Sequence, residues 1–283
     1  MTELAEEVAA IAAEAGRYAM DRWQSDFRRW EKAPGNPVCE IDLALDEILR
    51  ERLTALLPDT GWLSEESVDN PERLGFDRVW VVDPIGRHAR LSARPGPAGR
   101  CRSRWSRTAS PWSACSMPPA RGELWCGTAG KGAWRNGALL RAGDRALLAG
   151  ARVPADQLPR IDFDLTPVFK PNSIALRIAM VAAGEADLVA TLRWGNEWDI
   201  AAAILLAREA GAAVSDALGG PLHFNHALGR GVRRARDGAG HPRPGRRAAE
   251  RAGIGRGCSA EPGQPPSRLP MLIRSSTAKP SDS

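Results

Sequence analysis

Apolar positions recur at helical spacing over the first twenty residues, where Leu4, Val8, Ile11, Ala12, Ala15 and Tyr18 fall on one stripe. Ile41 to Leu57 repeat the pattern through Leu45, Ile48, Leu49 and Leu53, so two long helices precede the first strand. The period then shortens. Gly61-Trp62-Leu63-Ser64 follows the turn-like Pro58-Asp59-Thr60, and Val79, Val81 and Val82 around Trp80 make a short apolar strand that Asp83-Pro84 ends. Gly122 to Gly137 is punctuated by glycine and reads as a hairpin with Asn136-Gly137 at its turn, because that dipeptide accepts two successive left-handed residues. The spacing of Ile174, Ile178 and Val181 predicts a helix over 174–183. Asp187 to Leu192 follows as a short strand and Asp199 to Ala210 as a helix rich in Ala and Leu. Helices and strands interleave without an internal repeat, so the expected class is α/β.

Two stretches break the pattern. Residues 86–117 and 226–283 have neither helical nor strand periodicity, and they also carry the charge. The first holds seven arginines and no acid; the second holds eleven arginines and one lysine against four acids. They contribute +7 and +8 to a chain whose total is +5, so the remainder is acidic, at −10. The basic character is therefore local, and these stretches lack the aromatic spacing of a base-stacking platform, which argues against a nucleic-acid partner. The expected organisation is one domain over 1–225, with 86–117 aberrant, and a disordered Pro-, Gly- and Arg-rich tail over 226–283. The longest apolar runs, such as Ile200 to Ala207, are too short to cross a bilayer, and the acidic N-terminus has no secretory look, so a cytoplasmic protein is expected. Five cysteines with no CxxC spacing indicate neither a disulfide framework nor a zinc site; they are expected to be reduced thiols.

Several acids stand at element ends: Asp42 in PVCEID, Glu65 and Glu66 in WLSEES, Asp83 in WVVDPI and Asp199 in NEWDIAAA. Carboxylates converging from separate elements are what a hard divalent cation needs, since magnesium takes oxygen ligands and leaves positions for water and phosphate oxygens. Taken singly, each reads as a surface charge or a helix cap; Asp199 opens a helix, where the dipole favours an acid.

In combination with their neighbours these acids resemble the motifs of the inositol monophosphatase family. Ser64-Glu65-Glu66-Ser67 is similar to the family's Glu-Glu loop, and Asp83-Pro84-Ile85 to the start of its Asp-Pro-Ile-Asp-Gly-Thr motif. Trp198-Asp199-Ile200-Ala201-Ala202 through Glu209-Ala210-Gly211 is similar to its third motif, and Val38-Cys39-Glu40-Ile41-Asp42 to its Val-Thr-x-x-Asp segment, with cysteine in the threonine position. Val181 to Asp187 matches a further family phrase. The resemblance implies a layered αβαβα sandwich, with part of the first sheet disrupted here, and a magnesium-dependent phosphatase acting on a small phosphorylated metabolite. It further implies that Glu65, Asp83 and the main-chain carbonyl of Ile85 hold one metal, that Asp199 helps hold a second, that Asp42 orients a water-activating threonine, and that Glu66 and Trp198 are supporting residues. Asn172-Ser173-Ile174-Ala175 stands in the place of a family loop that approaches substrate; Ser173 serves equally as a helix N-cap. Inositol phosphates and 3'(2'),5'-bisphosphate nucleotides are the implied substrates, and relatives are commonly dimers.

The departure comes directly after Ile85. The family's next aspartate, glycine and threonine should stand at 86, 87 and 88, and here they are Gly86, Arg87 and His88. His88 has no matching surroundings as a replacement ligand, with Arg87 beside it. The genetic code offers a simpler origin: GAC GGC ACG CGN spells Asp-Gly-Thr-Arg, and one added G turns it into GGA CGG CAC GCG, which spells Gly-Arg-His-Ala, the residues at 86–89. Out-of-frame reading of a GC-rich gene yields Arg, Pro, Gly, Ala and Ser, the composition of 86–117 and of the tail. The expectations are a chain that lacks strands over 86–117 and has impaired phosphatase activity; the alternative function is a non-catalytic relic that binds a polyanion.

Overall fold

The structure, a computed structural model, describes residues 3–23, 25–33, 36–85, 102–106, 111–116, 122–158, 160–162, 164–191, 196–216, 219–226 and 271–275. In chain order the elements are α1 (Glu3–Trp23), β1 (Arg29–Ala33), β2 (Asn36–Cys39), α2 (Glu40–Leu56), β3 (Gly61–Ser64), β4 (Arg78–Val82), β5 (Arg102–Ser106), β6 (Pro111–Ser116), β7 (Trp125–Thr128), β8 (Gly132–Arg135), β9 (Ala138–Leu139), β10 (Arg152–Pro154), β11 (Thr166–Val168), α3 (Ile174–Ala182), β12 (Leu188–Thr191), α4 (Glu197–Glu209), β13 (Ala213–Asp216) and β14 (Met271–Arg274).

A seven-stranded sheet in the order β3-β4-β5-β6-β7-β8-β9 is the centre of the molecule. β3 and β4 run parallel and the remaining neighbours antiparallel. β4 shows why this strand reads as a continuous apolar run. Trp80 and Val82 pack with α1 and α2 on one face, while Val79 and Val81 pack with α3 and α4 on the other. A strand covered on both faces gains nothing from polar alternation. Beyond α3 and α4 lies a three-stranded sheet, β12-β14-β13, whose Val189, Met271 and Ile273 close the same apolar cluster as Ile178 and Ile204. The layers are thus helix, sheet, helix, sheet. Among the described residues no helix covers the outer face of the small sheet.

Two expectations are corrected. Residues 86–117 were expected to supply no strand, but β5 and β6 join β4 to β7, with one register shift in the β5–β6 pairing at Arg104/Trp105, and with Val79 opposite Trp105 and Cys115 opposite Cys126. The pattern was invisible because Ser113, Ala114 and Cys115 are small and buried on both faces, so no alternation exists to detect. The tail was expected to be disordered throughout, but Met271–Arg274 forms the middle strand of the small sheet, with Met271 1% and Ile273 0% exposed. MLIR places two large apolar residues on one face, enough for a strand between two partners. The Asn136-Gly137 turn is as expected: both residues have positive φ, 50° and 81°, and join β8 to β9. Gly86, Arg87 and His88, and most of the tail, lie outside the described residues.

Candidate metal centre

β3 and β4 are parallel and adjacent, so their carboxyl ends deliver the next residues to one edge of the sheet, where ligands collect in α/β proteins. Glu65 follows β3, and its amide donates to the Val82 carbonyl at 3.2 Å, extending the ladder by one rung. Asp83 follows β4 and is wholly buried, and Ile85 is buried two residues on. The third acid arrives on α4, at its third residue: the Asp199 Oδ2 accepts the Asn196 amide at 3.0 Å, closing the first turn. One carboxylate oxygen each from Glu65, Asp83 and Asp199 lies within 4.8 Å of the other two.

That donor set suits a hard cation. Three carboxylates packed this closely repel one another, and a divalent ion with oxygen preference is the partner that offsets the repulsion. The α4 N-terminus adds a partial positive charge beside Asp199. The fit rests on the chemistry of the three acids, and Ile85 supplies a main-chain carbonyl in the right stretch of chain.

The other expected site residues stand around this group. Asp42 is the third residue of α2, and its Oδ2 accepts the Cys39 amide at 2.8 Å, so it caps its own helix; burial holds its carboxyl above the ordinary range. Glu66 pairs with Lys32, and burial, opposed by that lysine, pushes it up to about 7. Trp198 lies against the α3–α4 core, and its indole nitrogen is buried without a hydrogen-bond partner among the described residues. Ser173 is the α3 N-cap, its Oγ accepting the Leu176 amide at 3.2 Å. The structure thus joins three of the expected residues in one cluster, and gives Asp42 and Ser173 capping roles.

Some participants had no sequence signal. Lys32, on the β1–β2 hairpin, donates to the Glu65 carbonyl at 3.2 Å and to the Glu66 carboxylate, so it fixes the loop from behind while the Glu65 side chain turns to Asp83. Asp46 accepts the Ser64 hydroxyl just before that loop. Glu197, in the NEWD phrase, accepts the Asn225 and His226 amides at 2.6 and 2.9 Å and lies 2.8 Å from the His226 Nδ1. Arg73 completes this clasp, donating to the His226 carbonyl at 2.7 Å and to Asp69 and the Asn225 side chain.

A layered α/β protein with a carboxylate cluster at the carboxyl ends of parallel strands, completed by a helix N-terminus, has the donor groups that could hold a metal ion. The model of the inositol monophosphatase family matches residues 1–86 and 110–244, and the chain belongs to that family. It is 28% identical over 242 residues to a 3'(2'),5'-bisphosphate nucleotidase CysQ of Aggregatibacter actinomycetemcomitans, covering 79% of this chain and 88% of the relative. It is 32% identical over 227 residues to an inositol monophosphatase of Dictyostelium discoideum, covering 74% and 83%. Among solved structures, the extragenic suppressor protein SuhB of Bartonella henselae superposes with a TM-score of 0.67 at 25% identity, covering 77% of this chain and 89% of that one. Members of the family are phosphatases that hydrolyse phosphate monoesters and use metal ions. Residues 87–109 fall between the two matched stretches, and the match passes 225 to reach 244. No helix among the described residues is long and apolar enough to cross a membrane.

Proposed function

We propose that the chain is a magnesium-dependent phosphomonoesterase by descent, with a metal-binding centre that survives and a turnover that is impaired. The observation that carries this is the meeting of Glu65, Asp83 and Asp199 within 4.8 Å, from three separate elements. Glu65, Asp83, Asp199 and the Ile85 carbonyl would hold the metal. Bound there, it would supply a Lewis acid for a phosphoryl oxygen and lower the pKa of a water molecule. The chain's own groups do the positioning. Lys32 anchors the Glu65-Glu66 loop from its outer side, and the Asn196 amide holds the Asp199 carboxylate at the helix start.

The impairment follows from the residues after Ile85. A family member has an aspartate and a threonine where this chain has Gly86 and His88, so one ligand and one water-positioning hydroxyl are missing from the set that the resemblance requires. A two-metal reaction depends on both ions being placed to a fraction of an ångström. The interval 87–109 that the family model leaves unmatched supports reading these codons out of register. The substrate class is an inositol phosphate or a 3'(2'),5'-bisphosphate nucleotide, on the strength of relatives that carry both names.

The test has two arms. Manganese titrated into the purified chain and followed by electron paramagnetic resonance is expected to bind, with Asp83→Asn abolishing the signal change. Phosphate release from inositol monophosphate or adenosine 3',5'-bisphosphate with magnesium is expected to be far below that of ordinary family members. Absence of binding overturns the metal centre, and full turnover overturns the impairment.

A further inference from the structure

β6 and β7 are antiparallel, with Ser113 opposite Thr128, Ala114 opposite Gly127, Cys115 opposite Cys126 and Ser116 opposite Trp125. The two cysteines are thus direct cross-strand partners. Both are thiols, both are buried, and both point to the α1–α2 side of the sheet, where they share one apolar cluster with Ala12, Trp80 and Val82. Their Sγ atoms are 2.7 Å apart. Residues directly opposed on antiparallel strands have Cα atoms about 4.5–5.5 Å apart, inside the window of about 4.4–6.8 Å that a disulfide tolerates. Closing the bond therefore requires no slip of either strand.

We propose that Cys115 and Cys126 are a modification site, a dithiol that a peroxide converts to a cross-strand disulfide and a thiol reductant restores. One thiolate attacks a peroxide oxygen, breaking the O–O bond and giving a sulfenic acid and water. The second sulfur then attacks the sulfenic sulfur, forming S–S and releasing the hydroxyl as a second water. Two thiols and one hydrogen peroxide become one disulfide and two waters. The oxidant is small and neutral, and enters when the sheet opens locally. The first sulfur to react finds its resolving partner already opposite, which favours the disulfide over higher sulfur acids. Cys39 shares the cluster, but its partner across the β1–β2 ladder is Arg29 and not a cysteine, and burial together with the Asp42 carboxylate pushes its thiol up to about 12. The crosslink ties two neighbouring strands of the main sheet. None of the three clustered acids is on β6 or β7, so the crosslink acts on stability and leaves the metal centre alone.

The experiment uses the full chain with Cys101 and Cys258 replaced by serine. After brief hydrogen peroxide treatment, denaturation, alkylation and trypsin digestion, Cys115 resides in the peptide 108–121 and Cys126 in 122–131. The two are expected as one linked species lacking two hydrogen atoms, which dithiothreitol separates. The melting midpoint is expected to rise by about 5–10 °C on oxidation and to return on reduction, as a short closed loop in the unfolded chain implies. Cys126→Ala is expected to lose the linked species and the midpoint change together. Separate alkylated peptides after peroxide, sulfinic or sulfonic acid at either position, or linkage to Cys39 instead, would each overturn the proposal. The peptide map of the parent chain decides even where the variant does not fold.

Discussion

Glu197→Gln perturbs the clasp at the start of α4. The carboxylate accepts three N–H groups: Asn225 N on Oε2 at 2.6 Å, and His226 N and Nδ1 on Oε1 at 2.9 and 2.8 Å. A carboxylate here only accepts, so the His226 Nδ1 carries its proton toward it. A carboxamide offers one acceptor oxygen and one NH2. With the oxygen toward His226 two bonds survive without their charge, and the NH2 then meets the Asn225 N–H, donor against donor, in a part-buried position. Leaving that amide unsatisfied costs about 1–3 kcal/mol, and weakening the two surviving bonds brings the total to roughly 2–4 kcal/mol. For a chain of this size that is a fall in melting midpoint of roughly 5–15 °C. Calorimetry and urea unfolding would measure it, and a change under about 0.5 kcal/mol would refute the clasp, since that is the range of an ordinary surface substitution. A second signature is the histidine. The hydrogen bond that His226 donates to Glu197 holds the His226 pKa above its usual value. Stability from His226 is therefore full below the unfolded value, about 6.5, and is lost as pH rises through the higher folded value. In Glu197→Gln the His226 proton resonance should titrate closer to the unfolded value and this pH dependence should flatten. Arg73 holds the same two residues from the other side, so Arg73→Met and Glu197→Gln are expected to be non-additive in a double-mutant cycle.

Asp83→Asn should abolish the stabilisation that magnesium gives the wild-type chain; a magnesium-dependent rise in melting midpoint that survives the substitution would contradict the metal centre. Gly137→Ala should cost roughly 1–2 kcal/mol by urea unfolding, from backbone strain alone. Its φ is 81° and an added Cβ would meet nothing within 4 Å, so a neutral result would contradict the left-handed turn. The Arg152 hydrogen bonds hold the Asp187 carboxyl below the usual range, so its contribution is present above the unfolded value, about 3.9, and is lost as pH falls through the lower folded value. Asp187→Asn should remove that acid sensitivity in unfolding curves recorded between pH 2 and 6.

The helices and the parallel strand pair were legible because their apolar side chains are large and periodic. Val79, Trp80, Val81 and Val82 cannot be accommodated except between two apolar layers, and the α1 stripe predicts its own buried face. β6 was illegible for the opposite reason: Ser113, Ala114 and Cys115 are too small to register as a pattern, Ala114 packing under Ala202 and Leu205 of α4 and Cys115 in the α1–α2 cluster on the other face. β14 lay in a segment whose arginines and prolines masked a four-residue run. In the site, Glu65, Asp83 and Asp199 were legible as acids that end strands or open a helix. Glu197 was beside them in the same phrase, yet its partners Asn225 and His226 lie 28 and 29 residues away, and no local pattern encodes such a contact. Lys32 is more remote still, 34 residues from the carboxylate it pairs with.

The charge arrangement also separates binding from turnover. Three carboxylates are crowded within 4.8 Å, and Lys32 is engaged with Glu66 and the Glu65 carbonyl. The α4 N-terminus adds compensation, where Asp199 accepts the Asn196 amide. Adding a fourth carboxylate at position 86, as the family motif has it, would increase both the attraction for a divalent cation and the repulsion in its absence. Glycine at that position lowers both. The chain as written should therefore depend less on metal for its fold than its relatives do, and should hold metal more weakly. On the proposed reading, the pull on a phosphoryl oxygen declines with occupancy of the centre. The loss of the motif threonine then removes the hydroxyl that would have aimed the water, so restoring Gly86→Asp alone should improve manganese binding without restoring phosphate release.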